Sequence, residues 1–141
     1  ITAGLSALER LQPDKIFSVL ASPEADARYY KISRTRNKPL INRSNSVIEL
    51  PISSLLSTYR GLAELIFPFA SRYHINVLPM GPKPHVLASM LLSLSFRSVG
   101  CLYGKMRYSQ HIDILGTGVF SAARIELTGD QYLHIDTNCN T

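Results

Sequence analysis

Cysteine is scarce: the 141 residues hold two, Cys101 and Cys139. That excludes a disulfide framework and a cysteine-rich metal site. Cys101 lies in an apolar strand pattern and Cys139 in a polar stretch. Both read as free thiols in a reducing compartment, Cys101 as a small buried hydrophobe. Long apolar runs are also missing. The longest, over residues 86–96, carries serines and falls well short of the roughly 18–20 residues that span a bilayer. No basic segment followed by an apolar one opens the chain, so there is no secretory-signal pattern, and a cytoplasmic location is expected. The first residue is Ile rather than Met, which reads as a processed product or an excised fragment, with a targeting segment upstream left open.

Acidic residues are absent from two windows. Between Asp26 and Glu49 the charged residues are all basic and include Lys31, Arg34, Arg36, Lys38 and Arg43; between Glu64 and Asp113 they are Arg72, Lys83, Arg97, Lys105 and Arg107. With a net charge of +5, this unopposed positive charge favours an anionic ligand such as a nucleotide or nucleic acid. A solvated basic face without a partner is the alternative. Catalytic signatures are missing too. There is no Walker A loop, no Gly-x-Gly-x-x-Gly fingerprint and no Gly-x-Ser-x-Gly elbow. The acids Asp14, Glu24, Asp26, Glu49, Glu64 and Asp113 form no sequence-local pair, and His74, His111 and His134 have no metal-ligand spacing. No metal and no cofactor are expected, and the balance leans against an enzyme.

What is present is an alternation of strands and helices. Leu5, Leu8 and Leu11 recur at helical spacing over 2–11, and Pro13-Asp14 stops them. A β-rich apolar run over 15–21 follows, then a turn or short helix through Tyr30. Residues 31–46 are polar and basic and read as a long mobile loop. A strand over 47–50 precedes the clearest helix, 52–70, whose stripe is Ile52, Leu55, Leu56, Tyr59, Ala63, Ile66, Phe67 and Ala70, with Pro68 near its end. Tyr59 on that stripe reads as core. Strands over 75–78 and 98–103 flank a helix over 84–96. Short strands over 112–115 and 119–127 surround Gly116-Thr117-Gly118, and 129–141 reads as a polar tail.

This order predicts an α/β domain over 1–128, Rossmann-like, with a mostly parallel sheet and helices on both faces. The first helix has no strand before it. The expectation is that this strand lies upstream of Ile1 in a larger protein, or is supplied by another chain or segment.

Ligands of such folds bind beyond the carboxyl ends of strands, against the next helix. The stretch from Asn76 to His85 is that place. Gly81 permits a sharp turn and close approach of a ligand. Pro82 and Pro84 stiffen the turn, and Pro84 suits the first helical position. The N–H groups of His85 and Val86 are expected to point out of the helix end beside Lys83, a cradle for phosphate or carboxylate. An ordinary strand-to-helix turn with an exposed Lys is the alternative, and His85 as a surface or capping residue is another. Tyr103 and Lys105, after the next strand, interleave aromatic and basic character at the same edge, suited to stacking on a nucleobase. Gly116 and Thr117 form a weaker second candidate turn, with a hairpin as the default.

The strand, the Gly81-Pro82-Lys83 turn and the small-residue helix behind it resemble the CRISPR-associated Rossmann-fold sensor domains of bacterial defence proteins. That resemblance implies a regulatory, often dimeric, domain that senses a nucleotide-derived signal and controls an effector domain or partner protein. It implies ligand contact at Gly81, Lys83, Pro84 and His85. Two other readings stay open: a nucleotide-processing enzyme with Lys83 on phosphate and His85 as acid/base, and a structural subunit of a larger complex.

Overall fold

The computed structural model describes residues 2–22, 27–103, 122–127 and 133–136. Helix α1 (Thr2–Leu11) ends where Gln12 takes a positive φ of 43°, and Gln12 N–H donates to Leu8 C=O. The left-handed residue turns the chain into strand β1 (Phe17–Ser22).

The expected loop over 31–46 is instead largely helical as far as Ile41, and residues 42–45 remain outside helix and strand. Helix α2 spans Ala27–Arg36 and the single turn α3 spans Lys38–Ile41. The polar side chains that suggested a loop serve the helix from within. Thr35 Oγ1 donates to Lys31 C=O, and Asn37 Nδ2 donates to Ser33 C=O where α2 stops. Pro39 sits in the first turn of α3, where proline is tolerated. These bonds leave no apolar periodicity for a sequence reading to find.

Strand β2 (Ser46–Pro51) pairs in parallel with β1, from Phe17 opposite Ser46 to Ser22 opposite Pro51. Helix α4 (Leu55–Ile66) starts three residues later than the periodicity implies, because Ser54 is its N-cap and accepts from Ser57 N–H. It ends before Pro68, as expected. Strand β3 (Ile75–Val77), helix α5 (Lys83–Ser95) and strand β4 (Val99–Cys101) form the next unit, with β3 and β4 parallel. Strands β5 (Arg124–Leu127) and β6 (Leu133–Asp136) are antiparallel, so the stretch read as a polar tail contributes a strand at 133–136. The expected strand over 112–115 lies outside the described residues.

The fold is thus mixed α/β, with short parallel strand pairs. The described strands form three separate two-stranded ladders, and none joins β1 to β3.

Adjacent residues of β2 show which helices cover which face. Glu49 accepts hydrogen bonds from Tyr30 and Arg34 of α2, while Leu50 packs against α4 at Gly61. Successive strand side chains point to opposite faces, so α2 and α4 cover opposite sides of the β1–β2 pair. Gly61 sits in mid-helix because any Cβ there would collide with the Leu50 side chain.

The core lies on the α4–α5 side. Leu62 and Ile66 of α4 meet Ala88, Leu91 and Leu92 of α5 over Leu50 and Val99. Leu92 and Thr58 are fully buried. Burying a leucine side chain contributes about 1.5–3 kcal/mol. Tyr59 packs against this core, as expected, and its hydroxyl donates to Ser95 Oγ at 2.9 Å. No helix among the described residues is long and apolar enough to cross a membrane.

Candidate functional site

Hydrogen bonds bring several chain segments to the carboxyl end of β3. Leu102 N–H donates to Val77 C=O at 2.8 Å, so the chain leaves β4 beside the Leu78–Pro82 turn that follows β3. His85 Nε2 lies 2.9 Å from Pro51 C=O, which ties the same edge to the end of β2. The first turn of α1 reaches it from one side: a Cβ on Gly4 would lie 3.0 Å from Leu40 Cδ1 of α3 and 3.3 Å from Met80 Sδ. Tyr103 is placed at this edge, as the sequence implied, and is 82% exposed. Lys105, Gly116 and Thr117 lie outside the described residues.

The turn differs in detail from expectation. Helix α5 begins at Lys83 rather than Pro84, with Pro82 as its N-cap and no side-chain cap. Val86 N–H is not free: it donates to Pro82 C=O at 3.1 Å and closes the first helical turn. Pro84 has no N–H. Two donors remain at the helix end, the N–H groups of Lys83 and His85, with no partner among the described residues. The Lys83 side chain is exposed and joins no ion pair among them. Gly81 does not need a glycine's backbone freedom here, and an added Cβ would make ordinary contacts with His85, the nearest at 3.5 Å. What the missing side chain leaves is open approach to the helix end from solvent.

His85 is neither a surface residue nor a cap. It is buried, and its ring serves a hydrogen bond to Pro51 C=O. A carbonyl only accepts, so Nε2 carries the proton and Nδ1 is left toward Gly81. Thr58 Oγ1 lies 2.9 Å from the same carbonyl and 2.9 Å from Ser54 C=O. Pro51 C=O therefore takes His85 of α5 as a donor and shares the one Thr58 hydroxyl proton of α4 with Ser54 C=O. Sequence reading missed Thr58, because a lone threonine inside an apolar stripe carries no signal of a buried acceptor seven residues away.

Beneath the turn lies a cavity of about 470 Å³. At its upper end are Met80, Gly81, His85 and Ser89. Its other end is lined by a tilted aromatic cluster, with Phe17 and Phe69 ring centres 5.2 Å apart and Phe69 and Tyr73 6.0 Å apart. Lys15 Nζ sits over that cluster, 5.2 Å and 5.3 Å from the Phe69 and Tyr73 ring centres. Between the ends, Leu8, Val19, Leu62, Ile75 and Val77 line it together with Asn76. Of the basic windows, Arg34 is engaged by Glu49 and Tyr30, while Lys31 and Lys38 are exposed on a separate shallow face.

Among the described residues no group of three or more His, Cys, Asp or Glu is placed to hold a metal ion. Burial pushes the Cys101 thiol up from its ordinary value, which keeps it protonated and unreactive at neutral pH. No family model matches the chain, and no curated protein or solved structure matches it.

Proposed function

We propose that the chain is a Rossmann-like α/β binding module whose Gly81–His85 turn takes an anionic, nucleotide-like ligand. The observation that carries this reading is the helix end itself. Two unbonded N–H groups, from Lys83 and His85, open beside an exposed lysine at the carboxyl edge of a parallel strand pair. Fixed donors and the helix dipole favour a phosphate or carboxylate there. Tyr103, exposed at the same edge, offers a face on which a base can stack. The signal-sensing role of the CRISPR-associated Rossmann-fold domains, which the Gly81-Pro82-Lys83 turn resembles, fits such a site. His85 is engaged by Pro51, so its part is to hold the turn rather than to move protons.

The test is a thermal-shift screen of the chain and of Lys83→Ala against mononucleotides, dinucleotides, cyclic oligonucleotides and short single-stranded DNA and RNA. A ligand at about 100 times its Kd adds about 2.7 kcal/mol of stability. The expected result is a shift in the parent that is lost in Lys83→Ala. A folded parent that shifts with none of these ligands sinks the reading.

A second reading, a subunit of a larger assembly, is favoured by α5. Its outward Leu87, Met90 and Leu94 are exposed at steps of three and four residues. A melting temperature that climbs with protein concentration and ignores every ligand supports that reading instead.

A further inference from the structure

The cavity between β1 and β3 has the walls of a strand position. Phe17 and Val19 of β1 stand on one side, and Ile75 and Val77 of β3 on the other. Leu8 of α1 and Leu62 of α4 supply the remaining walls.

The backbone of both flanking strands turns toward this space. In a parallel ladder, alternate residues direct both N–H and C=O to the same neighbour. Ile75 N–H donates to Ser98 C=O, and Val77 C=O accepts from Leu102 N–H. These two residues are committed to β4, so Asn76 between them turns its N–H and C=O away from β4. On β1, Ile16 N–H donates to Asn45 Oδ1 and Ile16 C=O accepts from Asn45 N–H. Phe17 and Val19 are offset from Ile16 by odd steps, so one of each successive pair faces away from β2. By this alternation Phe17, Val19 and Ala21 present their backbone groups to the cavity side. None of these groups has a backbone partner there among the described residues. Two free strand edges beside an apolar space are costly unless something pairs with them.

The course of α1 indicates what that is. Its carboxyl end leads through Gln12 into the start of β1, while Gly4 near its amino end lies between Leu40 of α3 and the tip of the Met80 side chain, which comes from the turn after β3. A strand running through the cavity alongside β1 would emerge at the amino end of α1. Helix α1 would then be the crossover that returns the chain to the neighbouring strand.

We propose that this cavity is a strand socket. Its occupant is an extended apolar segment joined to the amino end of α1, parallel to β1 and β3, giving one sheet in the order β2, β1, inserted strand, β3, β4. Helices cover both of its faces, so the segment is a run of Val, Ile and Leu rather than an alternating one. This inference goes beyond the ligand reading and does not rest on it, since Lys83 and Tyr103 lie on the rim and not between the strands.

The test is amide hydrogen exchange on the chain and on three extended versions, each carrying a different six-residue Val/Ile strand joined to Thr2 by a short Gly-Ser turn. A matched set carries Pro in the middle of the strand. In the chain alone, the amides of Phe17, Val19 and Asn76 exchange as free edges, while that of Ile75 is protected. In at least one extended version the three edge amides slow by more than about tenfold, and its Pro counterpart loses the effect. Lys83→Ala leaves that protection unchanged, which separates this outcome from the ligand test. The proposal is overturned if none of the three versions protects these amides. It is also overturned if they are already protected in the chain alone. Equal protection by the same strand added as a free peptide overturns the link to α1 and assigns the socket to a partner's strand.

Discussion

Glu49 and Leu50 are neighbours in the chain and face different halves of the molecule. On the Leu50 side, α4 and α5 enclose a dense core in which Leu92 and Ala88 have no exposed surface. On the Glu49 side, α2 is held to the strand by Tyr30 and Arg34 through polar contacts at the surface, and its Tyr29 and Ile32 are half exposed. Helices α2 and α3 contribute no buried residue among those described. One face is stabilised by apolar burial, the other by hydrogen bonds in contact with water. Since exposed ion pairs contribute little and buried apolar area contributes much, the α4–α5 face is expected to carry most of the stability.

Substitutions on the two faces can break or sharpen that contrast. The largest effect is expected from Leu92→Ala, which empties a fully buried position and costs about 2–5 kcal/mol by urea unfolding; Leu8→Ala on α1, the helix that meets α3 at Gly4 and Leu40, gives a clearly smaller loss because Leu8 is only half-buried. Equal losses would show that the two faces pack alike. Next comes Gly61→Val, which forces a side chain into Leu50 and costs about 1–3 kcal/mol despite removing a helical glycine. A stabilised variant would mean that α4 can lift from β2 freely. Thr58→Val keeps the shape and removes the hydroxyl from Pro51 C=O, where His85 remains as a donor. A loss of about 1 kcal/mol in the same assay is expected. The smallest effect is that of Arg34→Ala on the opposite face, within about 0–1 kcal/mol and shrinking further in high salt. A loss as large as that of Leu92→Ala would overturn the assignment of stability to the α4–α5 side.

The same contrast explains how much could be read from the sequence. Helix α1 and the four strands of the parallel pairs announced themselves by apolar spacing or β-branched runs, and a strand-to-helix turn with Gly81 and Lys83 stands where the sequence placed it. Helix α4 was found, but its buried face runs through Leu55, Thr58, Leu62 and Ile66. The expected stripe included Phe67, which is exposed, and omitted Leu62 and Thr58. A helix pressed between strands and another helix buries more than one stripe, so a single periodicity picks out only part of it. Helix α2 was read only as a turn or short helix ending at Tyr30, and its continuation to Arg36 was missed because its contacts are polar and the amphipathic signal depends on apolar contrast. At the site, the burial of His85 was hidden for a related reason: its partner is a backbone carbonyl 34 residues away in the chain, and carbonyls leave no trace in side-chain patterns.

The shared acceptor at Pro51 has a mechanical consequence. The end of β2, the first turn of α4 and the first turn of α5 meet at one oxygen, so they act as a joint with three arms. Through His85 the Lys83 end of α5 is therefore anchored to the end of β2 directly, in addition to the Leu78–Pro82 turn that connects it to β3.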